Sequence, residues 1–380
     1  MHGRSILGLT LSAFLSTASA IAQPQFTITE VSIHVEGLAG ALGEDGSVVG
    51  AVRLEDGTNL PALWQDGQTT TLPLNGIALA RNAAGVTVGL AYFFDAPFAR
   101  PMEWTPDGQV FFWDVPPSPP GHAGTQSGQA HGINDQGMAV CAYSVAGTLA
   151  AARCTREGFE LLHGLGGSRA SADVITSQGV AAGNAQTPLG GDHIVVWATD
   201  GALFDYGNLG GRGADLFGLN DQGQFAGAHT TAEGQLRAFG GTLQAGLQPL
   251  AHPVGFGASA ALGLNNHGVR VGRAFTTIGK PSGPILMERA MLWSHQDAAP
   301  IDLNTRIDPA SGWELRQAIS INDAGEILAR AGHASNGVGV VLLRPILEPP
   351  EPPRGPDMLL AKLCARRPDL AVCTPSLDVW

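Results

Sequence analysis

The feature of this 380-residue chain that most restricts its fold is a nine-residue pattern that recurs seven times. Its clearest copy is Leu219-Asn220-Asp221-Gln222-Gly223-Gln224-Phe225-Ala226-Gly227. The other copies begin at Leu42, Arg81, Ile133, Ile175, Leu264 and Ile321. The inner glycine falls at positions 46, 85, 137, 179, 223, 268 and 325, so the steps run from 39 to 57 residues. Self-similarity at such a period indicates a repeat architecture. The pattern itself is turn chemistry. Asn and Asp side chains bond their own backbone, and Gly supplies a positive φ without steric cost. A short β-branched strand follows, as in Val269-Arg270-Val271.

Each copy is followed by a strand ending in a bulky pair: Leu63-Trp64, Glu103-Trp104, Val196-Trp197, Ala238-Phe239, Leu292-Trp293 and Leu342-Leu343, with Arg153-Cys154 in the third repeat. A second turn comes next, such as Asp66-Gly67 or Asp200-Gly201, and then a fourth strand such as Val110-Phe111-Phe112-Trp113. Four antiparallel strands repeated around a ring are propeller blades, so the predicted fold is an all-β β-propeller. The recurring Trp residues read as one large apolar anchor per blade. The seventh repeat has no fourth strand, because Arg344-Pro345 leads into a Pro-rich run. The strand Phe26–Val35 has no partner inside the first repeat, and adding it to the last blade seals the ring and removes an exposed edge. This favours seven blades, with six and one degenerate copy as the alternative.

Residues 1–22 read as a secretory signal: Arg4 precedes an apolar run from Ile6 to Ala18, and Ala18-Ser19-Ala20 or Ala20-Ile21-Ala22 offers small-residue cleavage. Residues 23–344 form the propeller, 345–357 a Pro-rich spacer, and 358–380 a short tail. The expected location is secreted or periplasmic, with no membrane span once the signal is removed. The four cysteines fit an oxidising compartment. Cys141 and Cys154 fall on neighbouring strands of the third repeat and are disulfide candidates, as are Cys364 and Cys373 in the tail. A net charge of −12 without a Lys/Arg cluster argues against nucleic acid and anionic membrane as partners. A monomer is expected.

The repeated Ile/Leu-Asn-Asp-x-Gly, the preceding Leu165-Gly166-Gly167 and Leu209-Gly210-Gly211, and the Ala-Leu-Trp or Ala-Phe strand resemble the HAF family of bacterial extracellular repeats. Asp302-Leu303-Asn304, Ser311-Gly312-Trp313 and Ile321-Asn322-Asp323 resemble that family's last repeat. The resemblance covers residues 37–344. It departs from the family at the namesake His-Ala-Phe, whose nearest copy is Arg237-Ala238-Phe239. It implies an exported, propeller-like protein of unassigned activity and transfers no catalytic residue.

In an up-and-down blade both short turns fall on one face. The longer connections fall on the other, where function usually sits. That face nominates His122, His163, Tyr206, Arg212, His252, Arg306 and Asp308 as binding residues. The chain has no Gly-x-Ser-x-Gly elbow, no His-Glu-x-x-His helix and no phosphate-binding Gly-Lys loop. No metal-ligand spacing is found among its 11 His, and no cofactor is called for. Two readings follow. The preferred one is a non-enzymatic binding or scaffold propeller that engages a polysaccharide or a cell-surface protein. The alternative is a polysaccharide hydrolase or lyase with its carboxylates assembled at the channel mouth.

Overall fold

The computed structural model describes residues 26–33, 40–93, 96–116, 127–145, 147–280, 283–335 and 337–346. The expected signal segment, the spacer from 347 onward, the tail with Cys364 and Cys373, and His122 lie outside the described residues.

Seven four-stranded antiparallel sheets account for nearly all of the described residues. The first strands of the seven blades are Ala41–Leu42, Asn75–Arg81, Ser127–Ile133, Ala170–Ile175, Gly213–Leu219, Ala258–Leu264 and Trp313–Ile321. Each touches the first strands of both neighbours, and that of blade 7 touches that of blade 1, so the sheets close around a central channel. The count is seven rather than six. Phe26–Val31 completes the last blade by pairing antiparallel with Gly337–Pro345, Phe26 opposite Pro345 and Val31 opposite Val340.

The core lies between sheets. Trp64, Trp197, Phe239, Trp293 and Leu343, each at the end of a third strand or close to it, are essentially inaccessible to water. Trp197 and Trp293 also donate Nε1–H to the carbonyls of His163 and Ala251, on the connections that lead into their own blades. Blade 3 carries Cys154 at the anchor position. There a Cys141–Cys154 disulfide, Tyr143 and Trp113 fill the space against Val88 of blade 2.

The repeated motif does more than turn the chain. Its inner glycine adopts a φ between 70° and 84° in all seven copies, which only Gly takes without strain. The motif Asn accepts bonds from its own backbone, as expected: Asn265 Oδ1 takes His267 N at 3.1 Å and Val269 N at 3.0 Å. Its amide then crosses to the following blade. Asn82 donates to Asn134 O, Asn134 to Thr176 O, Asn220 to Asn265 O, Asn265 to Asn322 O and Asn322 to Gly43 O, at 2.9–3.2 Å. The next residue corrects the sequence reading, because in most copies it serves the neighbouring blade and not its own turn. Asp135, Asp221, Asn266 and Asp323 accept from the backbone N–H of Ala83, Ser177, Asp221 and Asn266, and Glu44 accepts from Asp323 N. A buried amide joined to three partners contributes several net hydrogen bonds of about 1 kcal/mol each. Asn265→Ala is expected to lower the unfolding free energy by about 2–4 kcal/mol in urea titrations. Thr176→Ala, which loses only the bond from Val180 N, should cost about 1 kcal/mol. Equal costs would mean that the inter-blade bond contributes nothing.

Candidate functional site

The residues nominated on the long-loop face are mostly occupied with holding loops. His163 is exposed, and its carbonyl anchors Trp197. Tyr206 turns inward between blades, its hydroxyl donating to Leu243 O at 2.9 Å and its ring 5.1 Å from that of Phe225. Arg212 Nε bonds Ala232 O. His252 spans its own loop, with Nε2 donating to Phe256 O and Nδ1 facing Ser259 Oγ. Asp308 caps a 3-10 turn through Ala310 N. Arg306 is half-buried, and its Nε has no partner among the described residues. No hydrogen bond or ion pair joins any two of these six residues, so the structure does not assemble them into a site.

It assembles another one inside the channel. In blades 2 to 7 the first strand carries a β-bulge, two residues ahead of the motif's Leu, Ile or Arg. A bulge re-aims a side chain, and here the bulged residues all line the channel. The motif's final Gly helps to make room at this level: a Cβ on Gly183 would come within 2.0 Å of Ser171 O. Together with Gly40 of blade 1, the bulged residues form one layer: Leu79, His131, Asp173, Phe217, Leu262 and Ile319. The layer is apolar except for the adjacent pair His131 and Asp173. The cavity measures about 700 Å³.

Around that pair the wall of blades 3 to 5 is polar. His131 Nδ1 lies 2.8 Å from Asp173 Oδ1, and the same oxygen accepts from Ser171 Oγ at 2.5 Å. With Nδ1–H donating to the carboxylate, the tautomer that carries no proton on Nε2 presents that atom as an acceptor. That atom has no hydrogen-bond partner among the described residues. Asn184 reaches across to blade 5: Leu216 N donates to its Oδ1 at 3.0 Å, which turns its Nδ2 onto Asp215 Oδ1 at 3.1 Å. Arg169 and Asp192 pair at 2.5 Å at the loop-face ends of their strands. Gln129 completes the lining on blade 3. The Ser171 hydroxyl proton is committed to Asp173, so this is not the arrangement of an activated serine nucleophile. Among the described residues, no group of three or more His, Cys, Asp or Glu is placed to hold a metal ion.

Sequence reasoning passed over these residues because it looked for function in loops. The signal lay in the repeats: at the position two before the motif, five blades carry Gly, Leu, Phe, Leu and Ile, and two adjacent blades carry His and Asp. Asp215 opens onto the channel, yet the walls strip much of its hydration. That desolvation, reinforced by the carboxylates of Asp192 and Asp173, raises its pKa above the ordinary value against the opposing pull of Arg169 and Asn184. A carboxyl whose pKa is higher folded than unfolded costs stability while ionised. The cost disappears below the unfolded pKa, about 3.9, where both states hold the proton. Asp215→Asn is therefore expected to raise the urea midpoint at neutral pH, and the gain should fade as the pH falls towards about 4. A loss of stability at neutral pH would contradict this account.

No family model matches the chain, and no curated protein matches it. Solved structures do. A puromycin-hydrolyzing peptidase of Mycobacterium tuberculosis superposes with a TM-score of 0.51 at 13% identity, over 87% of this chain and 55% of that one. TolB from Acinetobacter baumannii aligns with a TM-score of 0.36 at 11% identity, over 59% and 56% of the two chains. The BP39L lectin from Burkholderia pseudomallei gives 0.40 and 10%, over 80% and 98%. The chain thus spans little more than half of the peptidase and of TolB. At these identities the likeness concerns architecture alone, and what this chain shares with the peptidase is the β-propeller fold.

Proposed function

We propose that this protein is an exported, non-enzymatic binding propeller that takes a hydroxyl-rich ligand, such as the end of a polysaccharide, into its channel. The observation that carries the reading is the one-sided polarity of the bulge layer. His131, Asp173, Asp215, Asn184 and Gln129 line the wall of blades 3 to 5, whereas the lining of the other blades is apolar but for Ser320, with Leu79, Leu262 and Ile319 at its bulges. A pyranose has this same division, with hydroxyls around its edge and C–H groups on its face. Concave sites of several hundred Å³ with a few convergent polar groups are the usual form of small-ligand pockets. Export follows from the N-terminal apolar segment and from the resemblance of the repeats to HAF sequences. Among the described residues no helix is long and apolar enough to cross a membrane.

The hydrolase or lyase reading draws on one observation, the His131–Asp173 pair with its open Nε2, which has the form of an oriented general base. Against it, Asp173 and Asp215 stand on neighbouring strands of one wall, and no carboxylate lines the wall opposite among the described residues. Carboxylate catalysis at a glycosidic bond needs the two groups flanking that bond. Glycan-array binding by the protein lacking residues 1–22, with mass spectrometry of the eluted glycans, separates the two. Binding without new products is expected. Asp173→Ala should weaken it at least tenfold, about 1.4 kcal/mol, and His252→Ala should leave it unchanged. Released oligosaccharide that disappears in His131→Ala would establish the enzyme instead.

A further inference from the structure

We propose that the saccharide unit the channel selects is a cationic amino sugar, one that carries a protonated amine beside its hydroxyls. The inference rests on the channel being the binding site and specifies the chemistry of what enters it.

The wall is rich in acceptor atoms, alongside the amides of Gln129 and Asn184. Asp173 Oδ1 is already filled by His131 Nδ1 and Ser171 Oγ, and Asp215 Oδ1 by Asn184 Nδ2. The acceptors left over on these lining residues are the second oxygens of both carboxylates and the Nε2 lone pair of His131. None of these has a hydrogen-bond partner among the described residues. A ligand that satisfies them must donate at several separate points, which a polyol does and a simple anion does not.

Charge narrows the choice. Three carboxylates, Asp173, Asp192 and Asp215, face or flank the wall, and one guanidinium, Arg169, is paired with Asp192. Asp173 faces only the imidazole of His131, so carboxylates outnumber guanidinium groups three to one at this wall of the channel. An ammonium entering there gains charge-assisted hydrogen bonds that a neutral hydroxyl cannot match. The opposite end of the ring adds to the field: Glu44, Asp135, Asp221 and Asp323 sit on the turns of that face, and the net charge of the chain is −12. Phe217, two residues from Asp215 and on the same wall, supplies a ring for the C–H face of the sugar and for the cation itself.

The test uses three β-1,4-linked tetrasaccharides that differ only at C2: a glucosamine tetramer, an N-acetylglucosamine tetramer and a glucose tetramer. Binding to the protein lacking residues 1–22 is measured by calorimetry. The glucosamine tetramer is expected to bind at least tenfold more tightly than either neutral one. Asp215→Asn should remove most of that advantage without loss of the folded state, and Asp200→Asn, on an outer turn, should leave it intact. Equal affinity for all three sugars would overturn the inference and leave the binding reading standing. Equal weakening by Asp215→Asn and Asp200→Asn would reduce the preference to non-specific charge and also overturn it. No binding of any tetramer, together with a blank glycan array, would remove both.

Discussion

In five of the seven blades a single amide joins one blade to the next. The motif Asn accepts two backbone N–H groups of its own turn and donates to the carbonyl of the following blade, so one side chain fixes a turn and a blade-to-blade distance together. The residue after it accepts from the blade behind. Repeated around the ring, these bonds satisfy backbone groups that the turn would otherwise leave unpaired in a buried place. Closure by Phe26–Val31 matters for the same reason, since without it the last sheet would present an open edge.

Much of this was legible in the sequence. The blade count followed from the inner glycines, and the closing strand from a segment without a local partner. The anchors followed from Trp64, Trp197 and Trp293, and the Cys141–Cys154 bridge from two residues on adjacent strands. What the sequence did not disclose was direction. Asn and Asp in a turn look alike whether they bond inward or across, and only the packing of blades shows that Asp221 belongs to Ser177 of the blade before it. The bonding of the loop-face residues was hidden for a related reason. A polar residue in a loop reads as available, but Tyr206, His252 and Asp308 are each committed to a backbone group that the loop could not otherwise satisfy.

The channel site was hidden because it depends on bulges. Strict alternation puts every second residue of a strand on one face, and a bulge breaks that count. His131 and Asp173 acquire their aim from the extra residue, and a reading of alternation alone would not single them out from the first strands of the other blades. Aligning the repeats against one another recovers them, since the structural role of the position is constant while its chemistry changes in two blades. The same alignment exposes Asp215 and Ser171 one layer nearer the loop face.

Blade 4 shows how function and stability share this frame. It supplies Asp173, Ser171, Asn184, Asp192 and Arg169 to the polar wall or its rim, and it is also the blade whose motif reads Thr176-Ser177 in place of Asn-Asp. The forward amide bond from blade 4 to blade 5 is therefore missing, and no side-chain acceptor returns from Ser177 to blade 3. Ties elsewhere in the sheets replace them. Arg153, buried in blade 3, donates to the carbonyls of Trp197 and Ala198 at the outer turn of blade 4. Asn184 ties blade 4 to blade 5 through Leu216 N. The second of these ties is part of the site itself, because the amide that holds Leu216 with its oxygen holds Asp215 with its nitrogen. Where the clasp gives way between blades 4 and 5, the bond that replaces it comes from the same amide that positions Asp215, and the turn whose side chains make neither inter-blade bond belongs to the blade most involved in the channel.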